Sequence, residues 1–329
     1  MSFKAFRIHR DNKGVRAGFE QVEVNDLTPG NVVVRVQYSS INYKDALAAT
    51  GAGQILRAPS LNGGIDLAGE VVSSDSDQFH KRDQVLVCGC GLSETADGGY
   101  AEYARVDEGC LLPLPEGLTI RDAMALGTAG FTAALAVTRM EENGQRPDRG
   151  PILVTGASGG VGSIAIDLLA AREYEVVALT GKQEAYDYLH ELGVSECIDR
   201  TEIEMGTRPL EKARWGGAVD NVGGDILAWL TRTVKPWGNI ASIGLAGGFK
   251  LETTVMPFIL RGVSLLGINS IEMPLELRNR TWQRLGADLK PMHLDRISSR
   301  TITFDELPEA FDAYIKGAVI GRTVVEIGS

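Results

Sequence analysis

A glycine-rich turn between residues 151 and 162 constrains the fold of this chain most strongly. The apolar run 152–155 ends in Gly156-Ala157-Ser158-Gly159-Gly160-Val161-Gly162, and small or apolar residues continue to Ala171. This order predicts a strand, a tight turn and a helix. A backbone without Cβ can approach a pyrophosphate closely, and the first N–H groups of the helix then point at that anion. The turn therefore predicts a dinucleotide site at Ser158, Gly159, Gly160 and Val161, with tight strand-to-helix packing as the alternative.

The residues after the next predicted strand indicate which dinucleotide binds. That strand, 175–179, is followed by Thr180-Gly181-Lys182, where a domain that binds NAD usually carries Asp or Glu for the ribose hydroxyls. A carboxylate would repel a 2′-phosphate, whereas a hydroxyl, an open backbone and an ammonium group suit one. Arg200 follows a third predicted strand, 196–199, from which its guanidinium could reach the same phosphate. We therefore predict NADPH as the cofactor; the alternative is that Lys182 and Arg200 are solvated surface charges.

Composition narrows the class of protein. The 329 residues suggest about two domains, and the net charge of −10, without any Lys/Arg run, argues against general nucleic-acid binding. We see no apolar stretch of membrane-spanning length and no signal-peptide core, so we expect a cytoplasmic protein with no membrane partner. Four cysteines are too few for a disulfide framework in a chain of this length. We expect Cys88 and Cys90 to be buried or half-buried thiols.

The pattern of predicted elements changes near residue 120. Before it, short strands are predicted at 3–8, 19–24, 31–38, 85–87 and 99–104, which suggests a small barrel or folded sheet. A helix from about 119 to 140, interrupted at Gly127-Thr128-Ala129-Gly130, comes next. Strands at 152–155, 175–179, 196–199, 217–222 and 239–243 then alternate with helices, including 184–192 and 225–234. This alternation predicts a doubly wound parallel sheet, and hence an α/β fold.

The last third of the chain suggests a return to the first domain. A strand at 263–268, a helix at 275–289 and short elements at 302–304, 306–314 and 323–327 close the sequence. We therefore predict a mostly β catalytic domain formed by 1–121 and 266–329, with a cofactor domain, 122–265, inserted in it. The active site would lie in the cleft between the two domains.

Five ordered motifs resemble one superfamily over essentially the whole chain. They are Ser40-Ile41-Asn42-Tyr43-Lys44-Asp45, Gly64-Ile65-Asp66-Leu67-Ala68-Gly69-Glu70-Val71, Gly98-Gly99-Tyr100-Ala101-Glu102-Tyr103, Gly127-Thr128-Ala129-Gly130-Phe131-Thr132-Ala133 and the glycine-rich turn. Together they resemble the medium-chain dehydrogenase/reductase superfamily and its quinone-oxidoreductase-like branch. The Asn-Tyr-Lys-Asp and Gly-Thr-Ala-Gly-Phe-Thr-Ala strings are most similar to the NADPH-dependent acrylyl-CoA reductase group. The resemblance implies a Rossmann-type domain inserted in a GroES-like domain.

The resemblance also implies that the chemistry is independent of zinc. Zinc-dependent alcohol dehydrogenases of this superfamily bind the metal through Cys, a His-Glu pair and a further Cys or His. The matching places here hold Tyr43 or its neighbours, Ile65-Asp66 and the region of Thr128. Ile65 cannot bind a metal, and a catalytic zinc site needs three protein ligands. We predict no metal site.

Reduction of an activated C=C bond needs no Lewis acid. A hydride reaches the β-carbon of an α,β-unsaturated carbonyl, and donors at the carbonyl oxygen stabilise the developing enolate. The resemblance makes Tyr43 the candidate catalytic group, with cofactor packing as the alternative. It also places Thr128 at the nicotinamide-phosphate end of the cofactor, lets Asn42 face the cofactor, and suggests that Leu245 and Ile268 line the nicotinamide through backbone groups. Asn221 and Arg322 lie in loops expected at the carboxyl ends of sheet strands, where ligands bind, and Arg322 could clamp a cofactor phosphate or carboxamide. The alternative for the loops of Asn221, Leu245, Ile268 and Arg322 is that their glycines only make tight βα turns. Thr128 could instead pack between helices, Arg322 could be simply exposed, and Asp45 is expected to pair locally or cap a helix.

The resemblance favours NADPH-dependent reduction of acrylyl-CoA to propanoyl-CoA, a short enoyl-CoA thioester, as the activity. An NADPH:quinone reductase and a non-catalytic NADPH-binding redox-sensing protein are the alternatives. The sequence contains no compact Lys/Arg motif that would indicate a binding site for the CoA phosphates. The apolar run 263–266 could pair with its twin across a two-fold axis, so we expect a homodimer.

Overall fold

The computed structural model describes residues 2–328, which divide into two compact units. Of the described residues, the first unit holds 2–128, 271–287 and 294–328, and the second holds 129–270 and 288–293. The chain therefore leaves the first unit after Thr128, seven residues beyond the boundary predicted from sequence.

The amino-terminal part of the first unit contains eight strands and one helix. They are β1 (Ser2–Asp11), β2 (Gly14–Glu23), β3 (Val32–Ser40), α1 (Tyr43–Thr50), β4 (Ser60–Asn62), β5 (Asp66–Ser74), β6 (Gln84–Cys88), β7 (Tyr103–Val106) and β8 (Leu112–Pro113). β1 pairs with both β2 and β4, which forms a three-stranded antiparallel sheet. The alternating apolar residues of β3, Val32, Val34 and Val36, are buried in the core of this unit.

Helix α2 (Ile120–Glu142) is interrupted where the sequence predicted. Gly127 has φ 50° and ψ −156°, outside the helical region. A Cβ here would lie 2.6 Å from both Arg322 Nη2 and Asp66 Oδ2, so only glycine fits. By length and composition α2 could cross a membrane, contrary to the expectation from sequence, but 89% of its apolar window is buried inside the protein.

The second unit is built on one six-stranded parallel sheet. Its elements are β9 (Ile152–Thr155), α3 (Gly160–Ala170), β10 (Val176–Thr180), α4 (Tyr186–Glu191), β11 (Val194–Asp199), β12 (Trp215–Asp220), α5 (Gly224–Thr233), β13 (Val234–Ser242), α6 (Met256–Arg261) and β14 (Ser264–Gly267). The strand order is β11-β10-β9-β12-β13-β14, so the direction of winding reverses between β9 and β12. Ligands of such sheets bind beyond the carboxyl ends of the strands at this switch point. The prediction of a doubly wound parallel sheet is confirmed.

The remaining elements are α7 (Leu275–Gly286), α8 (Leu294–Ile297), β15 (Arg300–Thr303), α9 (Leu307–Ile315) and β16 (Thr323–Glu326). β16 pairs antiparallel with β3, and the sheet order β15-β16-β3-β5-β6-β8 completes the first unit, with β7 also on β3. A strand near the carboxyl end of the chain is therefore part of the amino-terminal sheet. β7 starts at Tyr103 and not at Gly99, because residues 98–100 make loop hydrogen bonds to residues 62–64 instead.

The expectation of a free thiol at Cys90 is wrong. Cys90 and Cys110 form a disulfide, and their Cα atoms lie 5.8 Å apart. Cys88 is a buried free thiol, as predicted. Buried Arg278 of α7 donates from Nη2 to the carbonyl of Cys110 at 2.6 Å. The disulfide and Arg278 together fix the segment that follows β6.

Candidate active site

The glycine-rich turn of the second unit has the close packing that a phosphate-binding turn requires. Gly156 has φ 58°, and a Cβ on Gly162 would collide with the carbonyl oxygen of Gly156 and lie 2.8 Å from Ala157 Cα. Gly159 caps α3, and no acidic residue occupies the first turn of this helix. Its amino-terminal partial positive charge is therefore not neutralised by its own side chains. Ser158 and Gly159 lie in this turn, and Gly160 and Val161 begin α3, where the sequence predicts a pyrophosphate site.

The structure brings together the residues predicted to hold a 2′-phosphate. Thr180 ends β10, its hydroxyl lies 3.3 Å from Ser158 Oγ, and it accepts a hydrogen bond from the N–H of Lys182. Arg200 follows β11, and its Nε lies 2.8 Å from the place of a Cβ on Gly181. Burial lowers the pKa of the Lys182 ammonium group, which the Glu184 carboxylate opposes. The Arg200 side chain therefore lies against the bare backbone of Gly181, and Lys182 is the next residue, so two cationic residues lie at one corner of the sheet.

Asn221 lies at the switch point with one acceptor atom unused. It follows β12, its Nδ2 donates to the carbonyl of Thr155 at 2.8 Å, and its N–H donates to Thr155 Oγ1 at 2.9 Å. Its buried Oδ1 has no hydrogen-bond partner within residues 2–328. Buried polar atoms are normally satisfied, so this oxygen fits a donor group of a bound ligand. Burial raises the pKa of the preceding residue, Asp220. Its carboxylate accepts hydrogen bonds from Thr155 Oγ1 and from the N–H of Gly223.

Two further predicted cofactor residues differ in what they can offer. Leu245 is 68% exposed in the loop after β13, and its carbonyl accepts from Gly248. The N–H of Ile268, just after β14, is already donated to the carbonyl of Ser242. The Ile268 backbone can therefore contact a cofactor through its carbonyl and not through its N–H.

In the first unit, Asn42 and Asp45 form the start of α1. Asn42 is the N-cap, and the N–H of Asn42 donates to Asp45 Oδ2 at 2.8 Å in a capping box. The N–H of Ile65 donates to Asp45 Oδ1 at 2.9 Å, which ties this helix to the residue before β5. Tyr43, the first residue of the helix, is 48% exposed. The capping role predicted for Asp45 is confirmed, and it leaves the Tyr43 phenol accessible to a ligand.

Burial changes the acidity of Asp45. Desolvation and, second to it, the nearby Asp66 carboxylate raise its pKa to about 7, although the hydrogen bonds from Asn42 and Ile65 oppose the shift. Burial also raises the pKa of the Cys88 thiol and of the Tyr100 phenol, which lie near the same carboxylates. The first unit therefore holds a buried acidic group that titrates close to neutral pH.

Asp66 is the functional candidate that the sequence reasoning did not identify. It is the first residue of β5, has no exposed surface, and accepts hydrogen bonds from several side chains and one backbone N–H. Thr128 donates to it twice, from Oγ1 at 2.5 Å and from the backbone N at 3.0 Å. Thr128 can make the backbone contact because Gly127 breaks the helix before it. Thr128 therefore does not only pack between helices, as the alternative from sequence had it, but also binds the Asp66 carboxylate.

Arg322 is not an exposed residue. It has 3% of its surface exposed and precedes β16. Its guanidinium donates to the carbonyls of Ala125 and Ile41, both at 3.0 Å, and to Asn42 Oδ1 at 3.1 Å. The guanidinium N–H groups are thus used by protein atoms. Arg322 can therefore affect a bound cofactor only through the residues to which it donates hydrogen bonds.

Comparison with known proteins agrees with this architecture. Residues 28–116 match the family described as alcohol dehydrogenase GroES-like domain, and residues 160–286 match the family described as zinc-binding dehydrogenase. The acrylyl-CoA reductase AcuI of Ruegeria pomeroyi is 44% identical over 330 residues, covering 99% of this chain and 100% of that protein. This chain belongs to the medium-chain dehydrogenase/reductase superfamily. The first unit is its GroES-like domain and the second its Rossmann-type domain, as the resemblance implied.

Two other relatives of this oxidoreductase have solved structures with different nucleotides. The Escherichia coli K-12 protein YhdH, solved with bound NADPH, is 44% identical, covers 98% of this chain and 100% of its own, and superposes with a TM-score of 0.95. The Bacillus subtilis protein YhfP, named as a candidate quinone oxidoreductase, is 45% identical over 99% of both chains. Its structure, solved with NAD bound, also has a TM-score of 0.95.

The family description that mentions zinc does not by itself assign a metal to this oxidoreductase. Within residues 2–328, no group of three or more His, Cys, Asp or Glu side chains is arranged to hold a metal ion. One of the positions that the resemblance matches to zinc ligands is Ile65, a side chain with no donor atom.

Proposed function

We propose that this oxidoreductase reduces an activated C=C bond with NADPH, and that its substrate is the short enoyl thioester acrylyl-CoA. The observation that carries the proposal is that the second unit has a cationic corner at Lys182 and Arg200, while the first unit presents the exposed Tyr43 at a helix start fixed by hydrogen bonds. The 44% identity to a named acrylyl-CoA reductase over the whole chain supports the substrate.

The second unit fits a dinucleotide with a 2′-phosphate. The unpartnered Asn221 Oδ1 and the glycine backbone of the turn leave room and hydrogen-bonding capacity for a ribose and a pyrophosphate. Lys182 and Arg200 would hold the additional phosphate, since Thr180 and Gly181 put no carboxylate at the end of β10. When bound, NADPH supplies a hydride.

The first unit supplies the polar group that such a reduction requires. Negative charge develops on the thioester carbonyl oxygen, and a fixed O–H donor there lowers the barrier. We assign this donor to Tyr43, because the capping box fixes the backbone of its helix while its side chain stays accessible.

The direct test is NADPH oxidation by the purified protein with acrylyl-CoA, crotonyl-CoA and a simple quinone in parallel. A clear preference for acrylyl-CoA supports the proposal. Faster quinone turnover would favour the second candidate, an NADPH:quinone oxidoreductase, for which the name of the B. subtilis relative speaks. Nucleotide binding without turnover of any of the three would indicate a binding protein and contradict both.

The cofactor assignment predicts the effect of Lys182→Glu. This substitution replaces an attractive charge by a repulsive one, so we expect NADPH to bind roughly 100-fold more weakly while NADH is little affected. Fluorescence titration of both nucleotides measures this. Glu204→Lys, at a residue outside the predicted site, is the control for a general change of charge. Equal weakening of NADPH and NADH by Lys182→Glu would contradict the 2′-phosphate role.

The catalytic assignment predicts the effect of Tyr43→Phe. Loss of one donor aimed at the developing charge should lower kcat roughly 10- to 100-fold, with the dissociation constant of NADPH nearly unchanged. Stopped-flow measurement of NADPH oxidation with acrylyl-CoA gives the rate. Tyr103→Phe, which removes a phenol in β7, is the matched control. If Tyr43→Phe had wild-type kinetics, the Tyr43 hydroxyl would have no role in catalysis and the residue would only pack against the cofactor.

A further inference from the structure

Five polar side chains of the first unit form one connected network around Asp66. We call Ser40, Asn42, Asp66, Thr128 and Arg322 the Asp66 network. Asp66 Oδ2 accepts from Ser40 Oγ at 2.7 Å, from Asn42 Nδ2 at 2.7 Å and from the Thr128 N–H at 3.0 Å. Asp66 Oδ1 accepts from Thr128 Oγ1 at 2.5 Å. Both oxygens of a fully buried carboxylate are thus used by groups from two separate parts of the chain, residues 40–42 and Thr128.

Arg322 closes the network from the opposite side. Its Nη2 donates to Ser40 Oγ at 2.8 Å and lies 3.9 Å from Asp66 Oδ2, so a buried positive charge faces the buried negative one. Its Nη1 donates to Asn42 Oδ1 and to the carbonyl of Ile41. The Asn42 side chain is therefore held at both ends, its nitrogen by Asp66 and its oxygen by Arg322.

We propose that Asp66 and Arg322 are positioning residues of the oxidoreductase, which fix Asn42 and Thr128 and thereby the first turn of α1 that presents Tyr43. This inference rests on the proposed function for the meaning of Tyr43 and Thr128. Neither positioning residue has exposed surface of its own to touch a ligand: Asp66 is 0% exposed and Arg322 3%. Their effect must pass through the residues that they bind.

The chemistry of the network supports positioning above simple stabilisation. A buried ion pair adds little net stability compared with apolar residues of the same size, because both charges lose their hydration. The ion pair and its hydrogen bonds fix orientation instead, since each donor and acceptor permits one arrangement of its partners. The Asn42 amide has a single allowed orientation between a carboxylate and a guanidinium, and it caps the helix that begins with Tyr43.

Asp66 also acts on Asp45, which gives the proposal a signature that a purely structural role lacks. Asn42 Nδ2 lies between the two carboxylates, 2.7 Å from Asp66 Oδ2 and 3.2 Å from Asp45 Oδ2. The charge of Asp66 is one of the causes that raise the pKa of Asp45. The other titratable groups near this pair are Tyr100, Cys88, Tyr314 and Arg322. Removal of the Asp66 charge should therefore move the titration of Asp45 to lower pH.

The test compares Asp66→Asn with Asp97→Asn. Asp97 is a matched control, because it is also buried in the first unit, lies 3.5 Å from an arginine, Arg7, and accepts backbone hydrogen bonds from Thr28 and Asn62. It has no hydrogen bond to Asn42 or Thr128 among the described residues. For both variants we would measure kcat and KM from pH 5 to 9, and amide hydrogen exchange of Thr128 and Asn42 by NMR without any substrate.

We expect Asp66→Asn to lower kcat at least 10-fold and to speed exchange of the Thr128 amide at least 10-fold. Because Asp45 caps the helix that begins with Tyr43, we also expect its titration to give the pH profile of kcat an inflection near pH 7, which Asp66→Asn should move to lower pH. Asp97→Asn should change none of these. Equal losses in both variants, or an unmoved inflection with unchanged exchange, would overturn the positioning role. If Asp66→Asn does not fold, Ser40→Ala removes one hydrogen bond to Asp66 and one from Arg322, and it should produce the same changes in smaller size.

The exchange measurement separates this inference from the proposed function. Faster exchange at Thr128 and Asn42 in Asp66→Asn supports the network even if no tested substrate is reduced. Turnover by the wild type together with wild-type kcat and exchange in Asp66→Asn would leave the proposed function intact and contradict the positioning role.

Discussion

Asp45 combines two properties that usually exclude each other in a carboxylic acid. It is 2% exposed, and it accepts hydrogen bonds from two backbone N–H groups, those of Asn42 and Ile65. Burial favours the protonated form, whereas the hydrogen bonds favour the ionised form. Burial dominates, because the neighbouring Asp66 carboxylate also raises the pKa of Asp45.

The raised pKa of Asp45 predicts how stability changes with pH. Its pKa is about 7 in the folded protein and ordinarily 3.8, so the folded protein binds the proton more tightly between these limits. The contribution of Asp45 to the free energy of unfolding is therefore largest below pH 4, falls as the pH rises to about 7, and is constant above. Asp45→Asn has no titrating group at this position. Urea unfolding from pH 4 to 8 should show wild type losing stability relative to Asp45→Asn across that window.

A constant difference between the two proteins from pH 4 to 8 would contradict the shift. If the stability of wild type relative to Asp45→Asn instead rose with pH, the pKa of Asp45 would be lowered and not raised. Hydrogen bonding would then outweigh burial.

Local sequence signals found some of these residues and missed others. Asn42 and Asp45 are three positions apart, the spacing of a capping box, so this helix start was visible in the sequence. Asp66 gave no comparable signal, because the residues that donate hydrogen bonds to it lie 24 to 62 residues away from it along the chain. Arg322 could not be assigned for the same reason: one arginine after a glycine does not reveal whether its guanidinium is in solvent or between buried carbonyls.

At the scale of elements, alternation and glycine-rich turns predicted the second unit well. Parallel strands buried on both faces give continuous apolar runs, and each is followed by a turn. The first unit was harder to predict. β5 is interrupted by glycine at position 69, where the Arg35 carbonyl of β3 leaves no room for a Cβ, so its pattern reads as a loop. The short helices α6 and α8 have too few turns to show a period.

The disulfide is an element-scale feature with a measurable effect. Cys90 and Cys110 are 20 residues apart, and a crosslink of this span stabilises by about 3 kcal/mol through the entropy of the unfolded chain. We expect Cys110→Ser, or reduction of the wild type, to lower the free energy of unfolding by that amount. Thermal or urea unfolding with and without a reductant measures it. Cys197→Ser, at a free thiol, should retain the response to reductant.

Four reactive thiols per unfolded chain before any reductant would contradict the disulfide. Two would agree with it, since Cys88 and Cys197 are free.

At the scale of the whole molecule, one edge of the parallel sheet offers a surface that a partner chain could cover. β14 is the last strand of the sheet order, and Leu265 on it is 36% exposed. Ile259 and Leu260 of α6, the helix before it, are 71% and 61% exposed. An open strand edge beside apolar side chains is an association hazard unless another chain covers it. We propose that a second copy of the chain pairs there, as a homodimer.

Leu265→Lys should therefore shift the protein from dimer to monomer. A charge on an edge strand opposes pairing with a second edge. Sedimentation velocity over a range of concentrations measures the mass. Leu275→Lys, at a residue of α7 that is 53% exposed in the other unit, is the control and should stay dimeric. A wild type of monomer mass would contradict the proposal directly.

The pairing of β16 with β3 has a consequence for the order in which the protein matures on the ribosome. Val324 pairs with Ser40, and Arg322 binds Asn42, so residues nearly the whole chain apart must both have emerged before the seven-stranded sheet and the Asp66 network can be completed. The second unit uses only residues between 129 and 293 and can fold earlier. A nascent chain released before residue 322 would thus contain a folded nucleotide-binding unit, and its Asn42 and Tyr43 would be present without the arginine that orients them.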